Sequence, residues 1–375
     1  MNKPDSNIHK LIDRMTCSDM SFAIYRLPWT DIPLLVMQDG TENQTFNNLK
    51  ELNGQRGFVI SPFRFTEGHP GVIIRPDITA TGWEEIKGKL SGITANEHPH
   101  EQTLSTICQK PESELKEDYN EVFSRFICRL KDNTFDKLVL SRSASYMLDK
   151  DFSPTETFIT ACNSCPRMMI SLSHTPVSGT WIGSTPEIIL SGEGDTWYTV
   201  ALAGTIPMQG ETMPREWNKK EKDEQSFVSG YISKVIKKFS GKIAVKGPYT
   251  ARAGQLVHLR TDFRFELKST SELGDLLEAL HPTPAVCGMP KDKTYDFITD
   301  NEGYDRKYYA GIIGWLDPDG HTTLYVNLRC LNANGNHATL YAGGGILPSS
   351  DASSEWEETQ HKMNTMRKCL GTTGL

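Results

Sequence analysis

The sequence predicts an α+β fold. Three observations predict it. Strand-like and helix-like segments are intermixed without the regular βαβ alternation of a doubly wound parallel sheet. No period of 20–50 residues repeats, which argues against a solenoid or propeller. No low-complexity tract or Pro/Gly/Ser linker divides the 375 residues. The length prior of two to three domains therefore shrinks to a single unit, 1–375.

The elements follow in chain order. Phe22–Tyr25, Leu34–Met37 and Gly57–Ser61 read as short strands, with polar loops at Asp39–Gly54 and Asn96–Gln102. Leu115, Tyr119, Val122, Phe123, Phe126, Ile127 and Leu130 recur at helical spacing up to a stop at Asp132-Asn133. A strand, Lys137–Arg142, follows at once. A β region spans Met169–Ile206, with turn chemistry at Gly192-Glu193-Gly194-Asp195. A helix covers Lys219–Phe239. Val257–Phe265 reads as strand and Ser271–Leu280 as helix. Gly311–Leu316, Leu324–Cys330 and Thr339–Ala342 read as strands. A last helix runs from Ser353-Ser354 to Leu370, with Gly371 as its C′ residue.

Forty Lys+Arg against 47 Asp+Glu leave a net charge of −7. That balance argues against non-specific binding to nucleic acid or anionic membranes. No run approaches the ~18 apolar residues of a membrane span. The N-terminal MNKPDSNIHK has no apolar signal-peptide core. Eight cysteines scattered through the chain read as reduced and cytoplasmic.

Several suggestive motifs lack their context. Gly343-Gly344-Gly345 has no trailing Gly-Lys-Ser/Thr, and Gly82–Leu90 misses a P-loop by one residue and by Leu90. Cys162 and Cys165 have CxxC spacing without a second pair, so two buried thiols at a helix end are expected. His98-Pro99-His100-Glu101 reads as a solvated turn. Glu358 and His361 make one ExxH motif where a di-iron site needs two.

Other residues carry chemistry together. Glu224 falls on the apolar stripe of Phe227, Val228, Tyr231, Ile232 and Val235. There a carboxylate needs a counter-ion, either a basic side chain or a metal. Glu355 and Glu358 are i,i+3 neighbours, so their oxygens can converge; the plain alternative is an acidic first helical turn. Glu224, Glu355 and Glu358 together would make an all-oxygen site suited to Mg²⁺. Lys137 opens an alternating strand. Burial would lower its pKa toward that of a base, whereas a strand-end lysine would reach water. Glu187 enters an apolar strand and is a candidate for a raised pKa, hence a general acid, against a plain sheet-edge charge. Arg329 is expected inside a strand, with a carboxylate partner from protein or ligand. The glycines 343–345 let backbone N–H groups approach an anion, unless they serve only a bulge or turn.

With these residues in place, the chain resembles the chorismate-utilising enzymes, and most closely the isochorismate synthases. The matching segments are Lys137-Leu-Val-Leu-Ser-Arg142, Gly183-Ser-Thr-Pro-Glu187, Leu202-Ala-Gly-Thr205, His281-Pro-Thr-Pro-Ala285 and Tyr304-Asp-Arg306. Gly311-Ile-Ile-Gly-Trp315, Val326-Asn-Leu-Arg329, Ala342-Gly-Gly-Gly-Ile346 and Glu355-Trp-Glu-Glu-Thr359 follow in family order.

The resemblance implies the anthranilate synthase component I-like fold, with antiparallel sheets packed together and helices outside. It makes 111–371 the chorismate-binding catalytic region and 1–110 a variable N-terminal part. It implies that Lys137 activates the water attacking C2 of chorismate and that Glu187 protonates the departing C4 hydroxyl. Glu224 and Glu358 would bind Mg²⁺, with Glu355 helping through a water. Arg329 and the backbone of Gly343, Gly344 and Gly345 would hold the enolpyruvyl carboxylate. Ala203, Gly204 and Thr205 would line the ring pocket, His281 would sit beside the carboxylate, and Ile312 and Lys362 would also touch substrate.

Ala203 stands where aminodeoxychorismate synthases commonly carry a lysine, which disfavours that branch. Lys137 and the missing tryptophan-binding motif disfavour anthranilate synthase. Ala201-Leu-Ala-Gly-Thr205 leans toward menaquinone rather than siderophore synthesis. Arg167-Met168 departs from the apolar or aromatic pair expected there. Salicylate synthase and a non-catalytic chorismate-binding subunit remain the alternatives. A monomer or weak homodimer without nucleic-acid or membrane partners is expected.

Overall fold

The chain is described from a computed structural model over residues 1, 3–93, 95, 110–208, 213, 216–253 and 256–370. The helices are α1 Ser6–Met15, α2 Trp83–Leu90, α3 Glu112–Lys131, α4 Pro154–Ser164, α5 Lys219–Phe239, α6 Leu273–Leu280, α7 Lys291–Asn301 and α8 Ala352–Arg367. The strands are β1 Phe22–Arg26, β2 Leu34–Met37, β3 Gln44–Phe46, β4 Gly57–Ser61, β5 Gly71–Ile74, β6 Ile78–Thr81, β7 Lys137–Met147, β8 Met169–Thr175 and β9 Gly179–Thr185. The second half adds β10 Ile188–Glu193, β11 Thr196–Pro207, β12 Ile243–Ala253, β13 Leu256–Glu266, β14 Gly288–Met289, β15 Ile312–Leu316, β16 Thr322–Val326, β17 Cys330–Asn334 and β18 His337–Ile346.

They form two nine-stranded sheets, β14-β7-β18-β17-β9-β8-β1-β2-β6 and β12-β13-β11-β10-β16-β15-β4-β5-β3. The strand pairings among the described residues are antiparallel. The expected α+β class with packed antiparallel sheets is therefore what the chain adopts.

Strand alternation builds two cores from the first sheet. Ala23, Tyr25, Trp181 and Tyr341 face the second sheet and meet Phe58, Leu190 and Val326. Phe22, Ile24, Ile182 and Leu340 face the other way, under Ile12 of α1, Leu90 of α2, Phe158 of α4 and Met363 of α8. Being covered on both faces, β1 reads as a nearly continuous apolar run over Phe22–Tyr25. On α5, Val228, Ile232, Val235 and Ile236 pack with Ala201, Phe263 and Phe265. Each such side chain fully buried contributes about 1.5–3 kcal/mol.

Several expectations are corrected. Leu324–Cys330 is two strands, interrupted at 327–329, so Arg329 is not inside a strand. Its φ of +47° lies in the left-handed region, outside the range of regular strand backbone. The polar loop Asp39–Gly54 contains β3 and a 3₁₀ turn, Leu49–Leu52. Only the end of α4 was expected, at Cys162 and Cys165; its start is marked by Ser153, whose side chain accepts from Glu156 N–H, with Pro154 in the first turn. β12 is mostly exposed at a sheet edge and has no apolar pattern to announce it. Gly82–Leu90 is α2, with Gly82 at its N-cap. Cys162 and Cys165 are buried thiols at the end of α4, as expected. The segments Asn96–Gln102 and His98–Glu101, and Gly371, lie outside the described residues.

Candidate active site

Four elements meet at one end of the first sheet: the start of β7, the end of β18, α5 and α8. β18 pairs with β7 through Gly343↔Ser141, Gly344↔Leu140 and Gly345↔Val139. Its other neighbour, β17, pairs only as far as Leu340. The glycine run thus presents a free strand edge, and on it the Gly343 carbonyl accepts from Lys362 Nζ at 2.8 Å.

α8 is fixed above this edge. Asp351 caps it by accepting from Ser354 N–H. Arg142 of β7 stacks on Trp356 at 3.7 Å and donates to Thr359 and Gln360 at 2.7 and 2.6 Å. These contacts set the height of Glu355, Glu358 and Lys362.

Lys137 is fully buried, so the solvated-lysine alternative fails. Its Nζ lies 3.0 Å from Oε1 of Glu224, close enough for an ion pair but without aligned hydrogen-bond geometry. Burial pushes the Glu224 carboxyl up, but Lys137, Lys220 and Lys362 outweigh it and leave its pKa lowered. Gly345 is glycine because the Glu224 carboxylate and the Lys137 stem occupy the space of a Cβ.

Glu187 lies between β9 and β10, where Pro186 interrupts the ladder. Thr185 Oγ1 donates to the Val326 carbonyl at 2.6 Å, and Val326 N–H donates to the Glu187 carbonyl at 2.9 Å. The side chain is buried rather than a sheet-edge charge. Burial lifts its carboxyl from 4.5 to about 7, against Lys137, Lys362 and Arg329.

Arg329 projects from the 327–329 break, held by Ser184 N–H donating to its carbonyl at 3.1 Å. Its guanidinium donates to Nε2 of His258 at 2.7 Å. Burial lowers its pKa to about 10. His258 is itself buried, and desolvation with the Arg329 charge pushes its pKa far down. It is neutral, with Nε2 accepting and Nδ1–H turned to Thr205 Oγ1, 3.1 Å away. Thr205 follows a bulge at Gly204, whose φ of +67° and contact with Glu221 both require glycine.

Glu355 is almost completely buried, which no solvated first turn would be. Its Oε1 accepts from Lys220 at 2.5 Å and Ser350 at 2.6 Å; its Oε2 has no partner. Burial, then the Glu358 charge, raises its pKa to about 7. Burial opposes the Lys220 ammonium, but Glu355, Glu358 and Glu224 outweigh it and raise its pKa. Glu358 pairs with Lys362 at 2.6 Å. A Cβ on Gly344 would stand 3.1 Å from Glu355 Oε2 and 3.5 Å from Glu358 Oε1, so both carboxylates face one spot. All-oxygen donors and an orphaned carboxylate oxygen fit a hard cation such as Mg²⁺. Among the described residues no three acidic, His or Cys side chains form a finished metal site, and each glutamate is held by a lysine.

A cavity of about 60 Å³ is lined by Glu187, Ala203, Thr205, Glu224, Arg329, Gly343, Gly345 and Lys362. Lys137 stands behind Glu224 and is not in its wall, and neither are Gly204, Gly344, Glu355 and Glu358. His281 is buried with both ring nitrogens unpartnered, and burial lowers its pKa to about 3; it does not line the cavity. Ile312 sits in the core between the sheets, away from the cavity wall. A larger cleft, about 470 Å³, runs between α3 and β7 but holds none of these site residues. The small cavity is the candidate site because Glu187, Glu224, Arg329 and Lys362 share its wall.

Sequence reading missed Lys220, His258 and Tyr309, the last two of which line the cavity. Lys220 was findable, one helical turn before Glu224 on the same face. His258 lay in a correctly read strand, but nothing local announces its contact with Arg329.

The isochorismate synthase EntC of Escherichia coli K12 is 27% identical over 324 residues, 84% of this chain and 81% of its own. The isochorismate synthase MenF of Bacillus subtilis 168 is 26% identical over 327 residues, 84% of this chain and 69% of its own. The structure of the menaquinone-specific isochorismate synthase MenF from E. coli superposes with TM-score 0.77 at 19% identity, covering 98% of this chain and 92% of that one. Anthranilate synthase component I from Streptococcus pneumoniae TIGR4 shares the fold with TM-score 0.66 at 17% identity, over 92% and 89%. Residues 72–371 match the family described as chorismate binding enzyme, starting inside the segment expected to be variable. By that match, over most of its length, the chain belongs to the chorismate binding enzyme family.

Proposed function

We propose that this protein is an isochorismate synthase, an isomerase that converts chorismate to isochorismate with Mg²⁺. The observation that carries the proposal is one buried site holding an acid of pKa about 7, Glu187, and the buried lysine Lys137. Acid/base chemistry needs a proton donor and a proton acceptor held in one site.

Lys137 takes a proton from water as its oxygen attacks C2 of chorismate. The ring double bond shifts, and the C4 hydroxyl leaves with the proton of Glu187. One water enters and one leaves, so the net reaction is an isomerisation. For this Lys137 must part from Glu224, its present partner. Arg329, oriented by His258, holds a substrate carboxylate alongside the free edge at Gly343 and Gly345. Glu224, Glu355 and Glu358 would hold Mg²⁺, which supplies charge neutralisation and orientation for the anionic substrate. A cavity of about 60 Å³ is well below the ~300 Å³ of small-molecule sites, so its walls must separate to admit the substrate.

Relatives whose names point to menaquinone and to vibriobactin support a role in menaquinone or siderophore synthesis. The test is to incubate the protein with chorismate and Mg²⁺, with and without EDTA, and to separate the products. Isochorismate that disappears with EDTA is expected. Salicylate with pyruvate, anthranilate when ammonia is supplied, or no turnover at all would overturn the assignment.

A further inference from the structure

Lys220 has no part in the chemistry proposed above, yet its ammonium sits among the carboxylates assigned to the cation. It donates to Glu355 Oε1 at 2.5 Å. Glu355, Glu358 and Glu224 are the charges acting on it. The two partners differ in freedom. Glu355 is 1% exposed and doubly tied, to Lys220 and Ser350, whereas the Lys220 side chain is 25% exposed. Lys220 can swing into water; Glu355 cannot.

Without the ammonium, Glu355 and Glu358 would face each other across Gly344 with Lys362 as the remaining close counter-charge on α8. A buried carboxylate, Glu355, and a half-buried one, Glu358, are costly to hold that close as like charges. A divalent cation would take the same oxygens, and it could not share them with an ammonium of like sign.

We infer that Lys220 is a built-in counter-cation, which keeps the Glu355–Glu358 cluster assembled while no divalent ion is present and must be displaced for one to bind. Lys220 is thus a positioning residue that sets how much Mg²⁺ the protein needs. Its own charge moves to water as the ion enters, so occupancy is an exchange rather than a simple addition. This rests on the magnesium reading above.

The test is calorimetric titration of the full chain with MgCl₂ alone, in wild type, Lys220→Met, Lys220→Gln and Lys220→Arg. Met and Gln should bind Mg²⁺ about tenfold tighter, the scale of one charge-assisted hydrogen bond. Arg, which keeps the charge, should stay near wild type. In EDTA, Met and Gln should melt below wild type, and saturating Mg²⁺ should close the gap. Should Lys220→Met fail to fold, Lys220→Gln, which can still donate to Glu355, answers the same question. Equal or weaker Mg²⁺ binding by the neutral variants would overturn this inference alone. Absence of Mg²⁺ binding by every protein, wild type included, would overturn the magnesium reading and this inference with it.

Discussion

The Glu224 carboxylate lies directly over the Cα of Gly345, in the volume where any other residue would carry its Cβ. One residue type therefore admits the ion pair with Lys137. Gly345→Ala should fold, because its ladder with Val139 is unchanged, but should displace Glu224 and the Lys137 stem. Misplacing reacting groups by about 1 Å costs roughly 100-fold, so kcat/KM for chorismate should fall by about that factor. Steady-state kinetics with circular dichroism as the folding control would check it.

Gly230, on the exposed side of α5, makes the contrasting case. Nothing stands within 4 Å of its Cβ position and its φ is ordinary for a helix. Gly230→Ala should stabilise the protein by about 0.5–1 kcal/mol and leave turnover unchanged. Urea unfolding would measure the gain; a loss of stability would show that α5 is not packed as described.

Glu187 should write a limb into the pH profile. Its acid form is needed, and its pKa is about 7, so kcat/KM should fall as pH rises through about 7. Glu187→Gln should lose roughly 10²–10⁴-fold in kcat and abolish that limb. Stability follows the same proton. Between 4.5 and about 7 the folded protein binds more protons at Glu187 than the unfolded chain does. Its contribution is complete below 4.5 and is lost as pH rises through about 7. The stability of Glu187→Gln relative to wild type should therefore grow with pH across this window, as chemical denaturation at several pH values would show.

Lys137→Met removes the proposed base and strands Glu224 in a buried place. Breaking one side of such a pair costs about 3–5 kcal/mol. Lys137→Met with Glu224→Gln should recover part of that loss. A double-mutant cycle by urea unfolding would give the coupling, and additive losses would refute the pair.

Arg306 braces the wall of the site from behind. It donates to both Glu302 oxygens at 2.6 Å, to the Val286 carbonyl at 2.7 Å and to the Val139 carbonyl at 3.1 Å. Glu302 in turn accepts from Ser141 N–H at 2.6 Å. Lysine cannot reach all these acceptors, so Arg306→Lys should cost about 1–3 kcal/mol for each buried group left unpaired. Because Val139 and Val286 line the cavity, kcat should fall too, while Mg²⁺ affinity stays near wild type. Denaturation curves and calorimetry would separate the two effects.

Much of this was legible because it is local. α5 runs over Lys219–Phe239 as its periodicity indicated, which placed Glu224 on the buried face. The i,i+3 spacing of Glu355 and Glu358 turns both toward Gly344. Lys137 opens β7, and the turn at Gly194 closes the β10–β11 hairpin. Periods of 2 and 3.6 residues, caps and turns are short-range physics, and a sequence displays them. The order of the elements excluded a doubly wound parallel sheet for the same reason.

What the tertiary structure alone decided involves partners far apart in the chain. Lys137 meets Glu224, Lys220 meets Glu355 and His258 meets Arg329 across separations of 87, 135 and 71 residues. Whether a lysine is buried, which nitrogen of a histidine carries its proton, and why a glycine cannot be alanine depend on what the opposing strand or helix brings. Arg329 shows the limit most plainly. Its neighbours have strand composition, yet the chain breaks there at a left-handed φ, because the turn is set by the two sheets it must join. Residue types and local faces were written in the sequence; their pairing, and so their chemistry, came from long-range packing.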